Sequence, residues 1–170
     1  TSGNVEFQVW NYNRLKNDFL GLVTLSAKEI FSGGNGPRTL RLRARDKEVD
    51  ELIFQNAHAL GTLTVNIGGV PDVDPAVARE AQRSAAAAAS ALPVEQAKPI
   101  EVAFTVVSAA NLMERDGGGM FGTSDPFVIV SDGAGEEVLK TPVVDDNLNP
   151  SWEAAKATVR MKMSPSTSGN

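Results

Sequence analysis

Eight short segments of this 170-residue chain alternate apolar with polar residues, and that period of two confines most of the chain to β-sheet. They run from Val5 to Asn11, Leu20 to Leu25, Arg38 to Ala44, Gly61 to Ile67, Ile100 to Val107, Asp125 to Val130, Glu137 to Val143 and Ala157 to Met163. In Gly61-Thr62-Leu63-Thr64-Val65-Asn66-Ile67, for example, Leu63, Val65 and Ile67 share one face. Clusters of Gly, Asn, Asp and Pro separate the segments. The spacing predicts an all-β fold, an eight-stranded antiparallel β-sandwich. Helical turns are expected from Lys47 to Ala59 and from Ser26 to Phe31, the latter with Ser26 as cap and Glu29 at the capping-box position.

Pro71 to Pro99 breaks the pattern. Asp74 is a good N-cap, Pro75 suits the first helical position, the alanines leading to Leu92 favour helix, and Pro93 stops it. Some 17 residues would extend about 25 Å, with an apolar face too thin for more than a semi-rigid spacer. The chain thus divides into 1–70, an Ala-rich helical linker 71–98, and 99–170. Its last residues, Thr167-Ser168-Gly169-Asn170, repeat its first, Thr1-Ser2-Gly3-Asn4, and the segments they join, Ala157 to Met163 and Val5 to Trp10, alternate like neighbouring strands. A domain beginning near Pro99 is therefore expected. It could arise as one period of a tandem repeat about 166 residues long, as a circular permutation, or as a piece cut within a domain. The two halves close on each other within one chain if Ile67 returns beside Ile100, and a linker of roughly 28 residues gives that reach. Closure as a monomer is expected over head-to-tail, open association, because intramolecular pairing wins at dilute concentration.

Composition removes several function classes. With 42% apolar and 22% charged residues the chain is ordinary globular protein, and the absence of cysteine excludes disulfides and thiolate chemistry and points to a reducing, cytoplasmic setting. A net charge of −5 argues against nucleic-acid binding, and no apolar run is long enough to span a bilayer. His58 is the only histidine and has no nucleophile motif around it, while Gly117 to Gly122 lack the lysine and strand-to-helix setting of a phosphate loop. The chain is not expected to be an enzyme.

Read from Pro99 to Asn170 and on from Val5 to Ile67, the chain resembles the C2 domain family. The resemblance rests on Leu112, Asp116 and Thr123-Ser124-Asp125-Pro126-Phe127-Val128, then on Leu148-Asn149-Pro150-Ser151-Trp152-Glu153. It ends on Val9-Trp10-Asn11-Tyr12-Asn13-Arg14 running to Asp18-Phe19-Leu20-Gly21. It implies a sandwich in which three loops at one end gather aspartates around calcium and touch anionic lipid, here permuted or cut out of frame from a tandem C2 repeat. Carried over, Asp116 and Asp125 match first-loop ligands and Asp18 a third-loop one, but Asn11 and Asn13 stand at two aspartate positions. Calcium wants six to eight oxygens, and affinity follows the carboxylates supplied, so the implied cofactor is none or weakly bound calcium. Asp145 and Asp146, at the second loop, are expected close to Asp116 and Asp125, although Asp145-Asp146-Asn147 is also ordinary turn chemistry.

Met120 and Phe121 in a glycine-rich loop, and Leu15 between Arg14 and Lys16, are candidate apolar tips for a membrane or a partner. Two basic stripes, Arg41, Arg43 and Arg45, and Lys156, Arg160 and Lys162, are each expected to share the solvent face of one strand. The expected function is a non-catalytic C2-type module, a degenerate unit of a tandem-repeat intracellular scaffold or cytoskeletal protein. The alternative is a peripheral module targeting anionic phospholipid membranes, with or without calcium. Partners would accordingly be neighbouring C2 repeats, other proteins or an anionic membrane surface.

Overall fold

In the computed structural model, which describes residues 3–45, 60–71, 98–115 and 123–164, all eight alternating segments are strands. They are β1 (Asn4–Asn11), β2 (Asp18–Ser26), β3 (Gly36–Arg41), β4 (Thr62–Gly68), β5 (Ile100–Ala110), β6 (Pro126–Ser131), β7 (Glu137–Lys140) and β8 (Thr158–Met163). A short helix, α1 (Ala27–Gly33), follows β2, and a 3₁₀ turn (Ala154–Lys156) precedes β8. The expected helical turn from Lys47 to Ala59, the linker helix and His58 lie outside the described residues.

The strands form two four-stranded antiparallel sheets, ordered β2-β1-β6-β7 and β3-β4-β5-β8. Each sheet takes two strands from either side of the 72–97 stretch. Ile67 stands opposite Phe104 in the β4–β5 ladder, so the halves pair within the one chain. Between the sheets lie Val5, Phe7, Val9, Leu63, Val65, Ile67, Val102, Phe104 and Val106, all buried, which are the alternate positions that the period of two assigns to one face.

Two local features depart from simple alternation. The β1–β2 register shifts between Val9 and Trp10, so that Val9 faces Gly21 but Trp10 faces Phe19, with Leu20 as the bulged residue. Gly21 sits within β2, where a Cβ would lie 2.8 Å from Leu42 Cβ. The expected strand from Arg38 to Ala44 stops at Arg41. Beyond it Leu42 enters the core, and Arg43 makes an isolated antiparallel bridge with Leu22 of the other sheet. The segment crosses between sheets because an apolar residue, Leu42, must be buried at the crossing.

The helix is held at both ends. Ser26 Oγ accepts the Glu29 N–H at 3.3 Å while Glu29 Oε2 accepts the Ser26 N–H at 2.8 Å, which completes the capping box. At its other end the Arg38 guanidinium donates to the carbonyls of Glu29, Ile30 and Gly34 at 2.8, 3.0 and 2.7 Å, supplying partners that a helix terminus lacks.

The hydroxyl of Ser26, then its backbone N–H, hold the Glu29 carboxyl below the ordinary 4.5, against a small opposing effect of burial. A carboxyl whose value is lower folded than unfolded stabilises above the unfolded value and loses that contribution as pH falls through the folded one. Ser26→Ala is expected to cost about 1 kcal/mol near neutrality. Urea denaturation should show the gap between the two proteins full above pH 4.5 and shrinking below it.

Candidate functional site

The end of β1 lies beside the start of β6, which gathers the β1–β2 loop and the ends of the β5–β6 and β7–β8 connections at one edge of the sandwich. The bonds holding this edge run between loops. Asn11, the last residue of β1, is fully buried, and its Oδ1 accepts the Asp125 N–H at 2.6 Å, while the Tyr12 N–H donates back to the Asp125 carbonyl at 2.8 Å. Asp125 Oδ1 accepts the Asp146 N–H at 2.8 Å, and Asp146 Oδ1 accepts the Thr123 hydroxyl at 2.8 Å. The buried Ser124 hydroxyl donates to the Met113 carbonyl at 2.9 Å and accepts the Arg115 N–H at 3.1 Å. Asp146, at φ 52°, occupies the left-handed turn conformation that Asp and Asn tolerate, in keeping with its turn chemistry. It also lies beside Asp125, as expected of the second loop.

Other candidates divide. Asp18 is half-buried and opens β2 opposite Asn11, inside the sheet rather than in the loop. Asn13 is exposed and serves the loop itself, its Oδ1 taking the Leu15 N–H while its own N–H donates to Asn17 Oδ1. Arg14, Leu15 and Lys16 form the tip, where Leu15 is 98% exposed and Tyr12 at its base 45%. Asp116, Met120 and Phe121 lie outside the described residues. Among the described residues no three His, Asp or Glu side chains gather closely enough to hold a metal ion. Asn11, Asn13 and Asp125 each accept a backbone N–H on Oδ1, and two of those three residues carry no charge, whereas calcium wants six to eight oxygens and gains affinity with each carboxylate.

The basic stripes do not form as expected. Arg41 ends β3 in one sheet, Arg43 bridges to the other, and Arg45 is half-buried. The Arg45 guanidinium lies 5.3 Å from the Trp10 ring and 4.9 Å from that of Phe19, and donates to Gln8 Oε1 at 2.7 Å. A cation is attracted to the negative face of an aromatic ring, so Arg45 turns onto the sheet instead of into solvent. Lys156 belongs to the 3₁₀ turn, paired with Glu153 at 3.1 Å, because Ala154–Lys156 curls before β8 begins. Only Arg160 and Lys162 share the exposed face of β8, and Arg160 reaches Glu101 at 3.5 Å.

Sequence reasoning missed the outer face of the first sheet. The bulge at Leu20 turns Phe19 outward beside Trp10, their rings 5.3 Å apart and edge to face. Phe127, opposite Trp10 on β6, carries Lys140 at 4.7 Å over its ring. The parity of Glu6, Gln8 and Trp10 along β1 signalled an outward row, but the bulge that aligns Phe19 with it leaves no pattern in the sequence.

Two antiparallel four-stranded sheets packed face to face, with braced loops at one edge, define an all-β sandwich module. The C2 domain family model matches residues 1–42 and 101–167, more than half of the chain, and the chain belongs to that family, in a split or permuted arrangement. No match was found among curated proteins or among solved structures. C2 domains are membrane- or calcium-binding modules and generally non-catalytic. No helix among the described residues is long and apolar enough to cross a membrane.

Asn11→Ala would leave the Asp125 N–H without its acceptor. It is expected to cost about 1–3 kcal/mol in urea denaturation. Asn13→Ala, at an exposed position, is expected to change stability by less than about 0.5 kcal/mol.

Proposed function

We propose that this chain is a non-catalytic C2 module that docks peripherally on anionic membrane surfaces through the Arg14-Leu15-Lys16 tip, with weak or no dependence on calcium. The observation that carries this reading is Leu15, a large apolar side chain 98% exposed on a loop tip between two exposed cations. In water such a leucine gains nothing, whereas burying it among acyl chains is worth about 1.5–3 kcal/mol. Each cation near an anionic surface adds about 1 kcal/mol. The net charge of −5 favours a small cationic contact over a broad one, since the rest of the surface is repelled by anionic lipid. Calcium independence is supported by the engagement of Asn11 and Asp125 in loop bracing and by the missing charges at Asn11 and Asn13. A cytoplasmic, membrane-apposed location goes with this reading.

Co-sedimentation with phosphatidylserine-containing vesicles in chelator tests it. Binding is expected, and Arg14→Glu with Lys16→Glu should weaken it by at least about 2 kcal/mol, some thirtyfold in partitioning. Leu15→Asp should weaken it comparably while leaving the urea midpoint unchanged. Absence of binding by the parent protein, with or without calcium, would turn the assignment to a scaffold unit in a tandem C2 protein, recognised through protein partners.

Calorimetric titration of calcium is expected to give no binding below the millimolar range. Asn11→Asp with Asn13→Asp, which supplies two carboxylates, should raise calcium affinity at least about tenfold. Micromolar binding by the parent protein would contradict the calcium-independent part of the proposal.

A further inference from the structure

At the end of β1 remote from the loops, the outer face of the first sheet holds a pocket of about 230 Å³. Glu6 forms its floor. Thr24 on β2 and Ser131 on β6 stand directly opposite Glu6 in the two ladders and flank it, while Asp132, Gly133 and Gly135 of the β6–β7 turn make a wall. Five residues along β1, about 16 Å, separate Glu6 from Asn11, so this pocket is distinct from the braced loops.

The polar groups here are unevenly matched. Glu6 Oε1 accepts the Gln8 side-chain amide, and Asp132 Oδ1 accepts the N–H groups of Ala134 and Glu136 at 2.9 and 3.0 Å. The second oxygen of each carboxylate has no partner among the described residues. Ser131 is only 6% exposed, lines the pocket, and its hydroxyl has no partner among the described residues either. The hydroxyl is not among the fully buried unpartnered atoms and opens to the pocket, so a ligand's donor can take the place of water there. Acceptors thus converge from the floor, both flanks and one wall, and of the two side-chain amides that line the pocket, those of Asn4 and Gln8, that of Gln8 is spent on Glu6.

We propose that this pocket binds a primary ammonium group, as carried by a lysine side chain or a small free amine. An ammonium is a compact charge with three donors that diverge, which matches acceptors on several sides, whereas a planar guanidinium fork suits a single carboxylate approached edge-on. The volume agrees. At roughly 30 Å³ per liquid water the pocket holds several waters, room for a head group and a short alkyl stem, and it is smaller than the ~300 Å³ at which drug-sized ligand sites begin.

Amide chemical shifts of the whole chain during titration with n-butylammonium at low salt test the proposal. Saturable shifts are expected at Glu6, Thr24, Ser131 and the Asp132–Gly135 turn, with millimolar affinity. Binding should weaken about tenfold in Glu6→Gln, which preserves shape, and measurably in Ser131→Ala. Neutral 1-butanol should give no saturable shift. The proposal fails if no saturation is seen to about 50 mM, if Glu6→Gln binds equally with an otherwise native spectrum, or if butanol or n-butylguanidinium binds as well as the amine. Comparison of acetyl-Gly-Lys-Gly-amide with spermidine then separates the sources. Tighter peptide binding identifies a lysine of a protein partner, tighter spermidine a free polyamine, and either upholds the ammonium site.

Discussion

The rings of Phe7 and Phe104 meet edge to face with centroids 6.0 Å apart, and this contact ties together the two sheets and the two halves of the chain at once. Phe7 belongs to β1 and Phe104 to β5, and both are fully buried, so each contributes roughly the 1.5–3 kcal/mol of a buried apolar side chain. Their edge-to-face geometry adds about 0.5–1.5 kcal/mol. Valines at positions 5, 9, 65, 102 and 106 pack around them, stiff β-branched residues that suit a pleated surface. Since each sheet draws strands from both halves, no part of this core is complete before the whole is. The positions of the loops, the aromatic row and the pocket are all set by where β1 inserts between β2 and β6.

At the loop edge, backbone donors and side-chain acceptors are exchanged between neighbouring loops and lock them together. Asn11 illustrates the exchange. A buried carboxylate at this place would need a cation or several donors to offset its desolvation, but a neutral amide oxygen needs only the one N–H that Asp125 offers. The Asp125 and Asp146 carboxylates stay at the periphery, where water and single hydrogen bonds suffice. Hydrogen bonds between protein groups thus brace the base from which Leu15 is presented.

Much of this was legible in the residues. Alternation found all eight strands because a half-buried strand must put one face in the core, and the serine-to-glutamate spacing found the capping box because both partners lie within one turn. What escaped depended on residues distant in sequence. Nothing near Arg45 announces that Trp10 and Phe19 lie beneath it, and the strand that Arg41, Arg43 and Arg45 promised was cut short by the crossing of Leu42 into the core. Asn11 read as a depleted metal ligand, since its burial and its backbone partner 114 residues away leave no local trace. The pocket likewise needed Thr24, Glu6 and Ser131 to be brought abreast by the register of three strands.

The interleaving of halves also makes the first four strands dependent on the last four. Without β5 to β8, each sheet is only a two-stranded ribbon, with the edges of β1 and β4 open where β6 and β5 belong and their apolar faces uncovered. Open edges of this kind are templates for pairing with other chains. The long-range ladders that cover these edges close slowly compared with local contacts. Separated from β5 to β8, the first four strands thus carry open edges that match those of every other copy nearby.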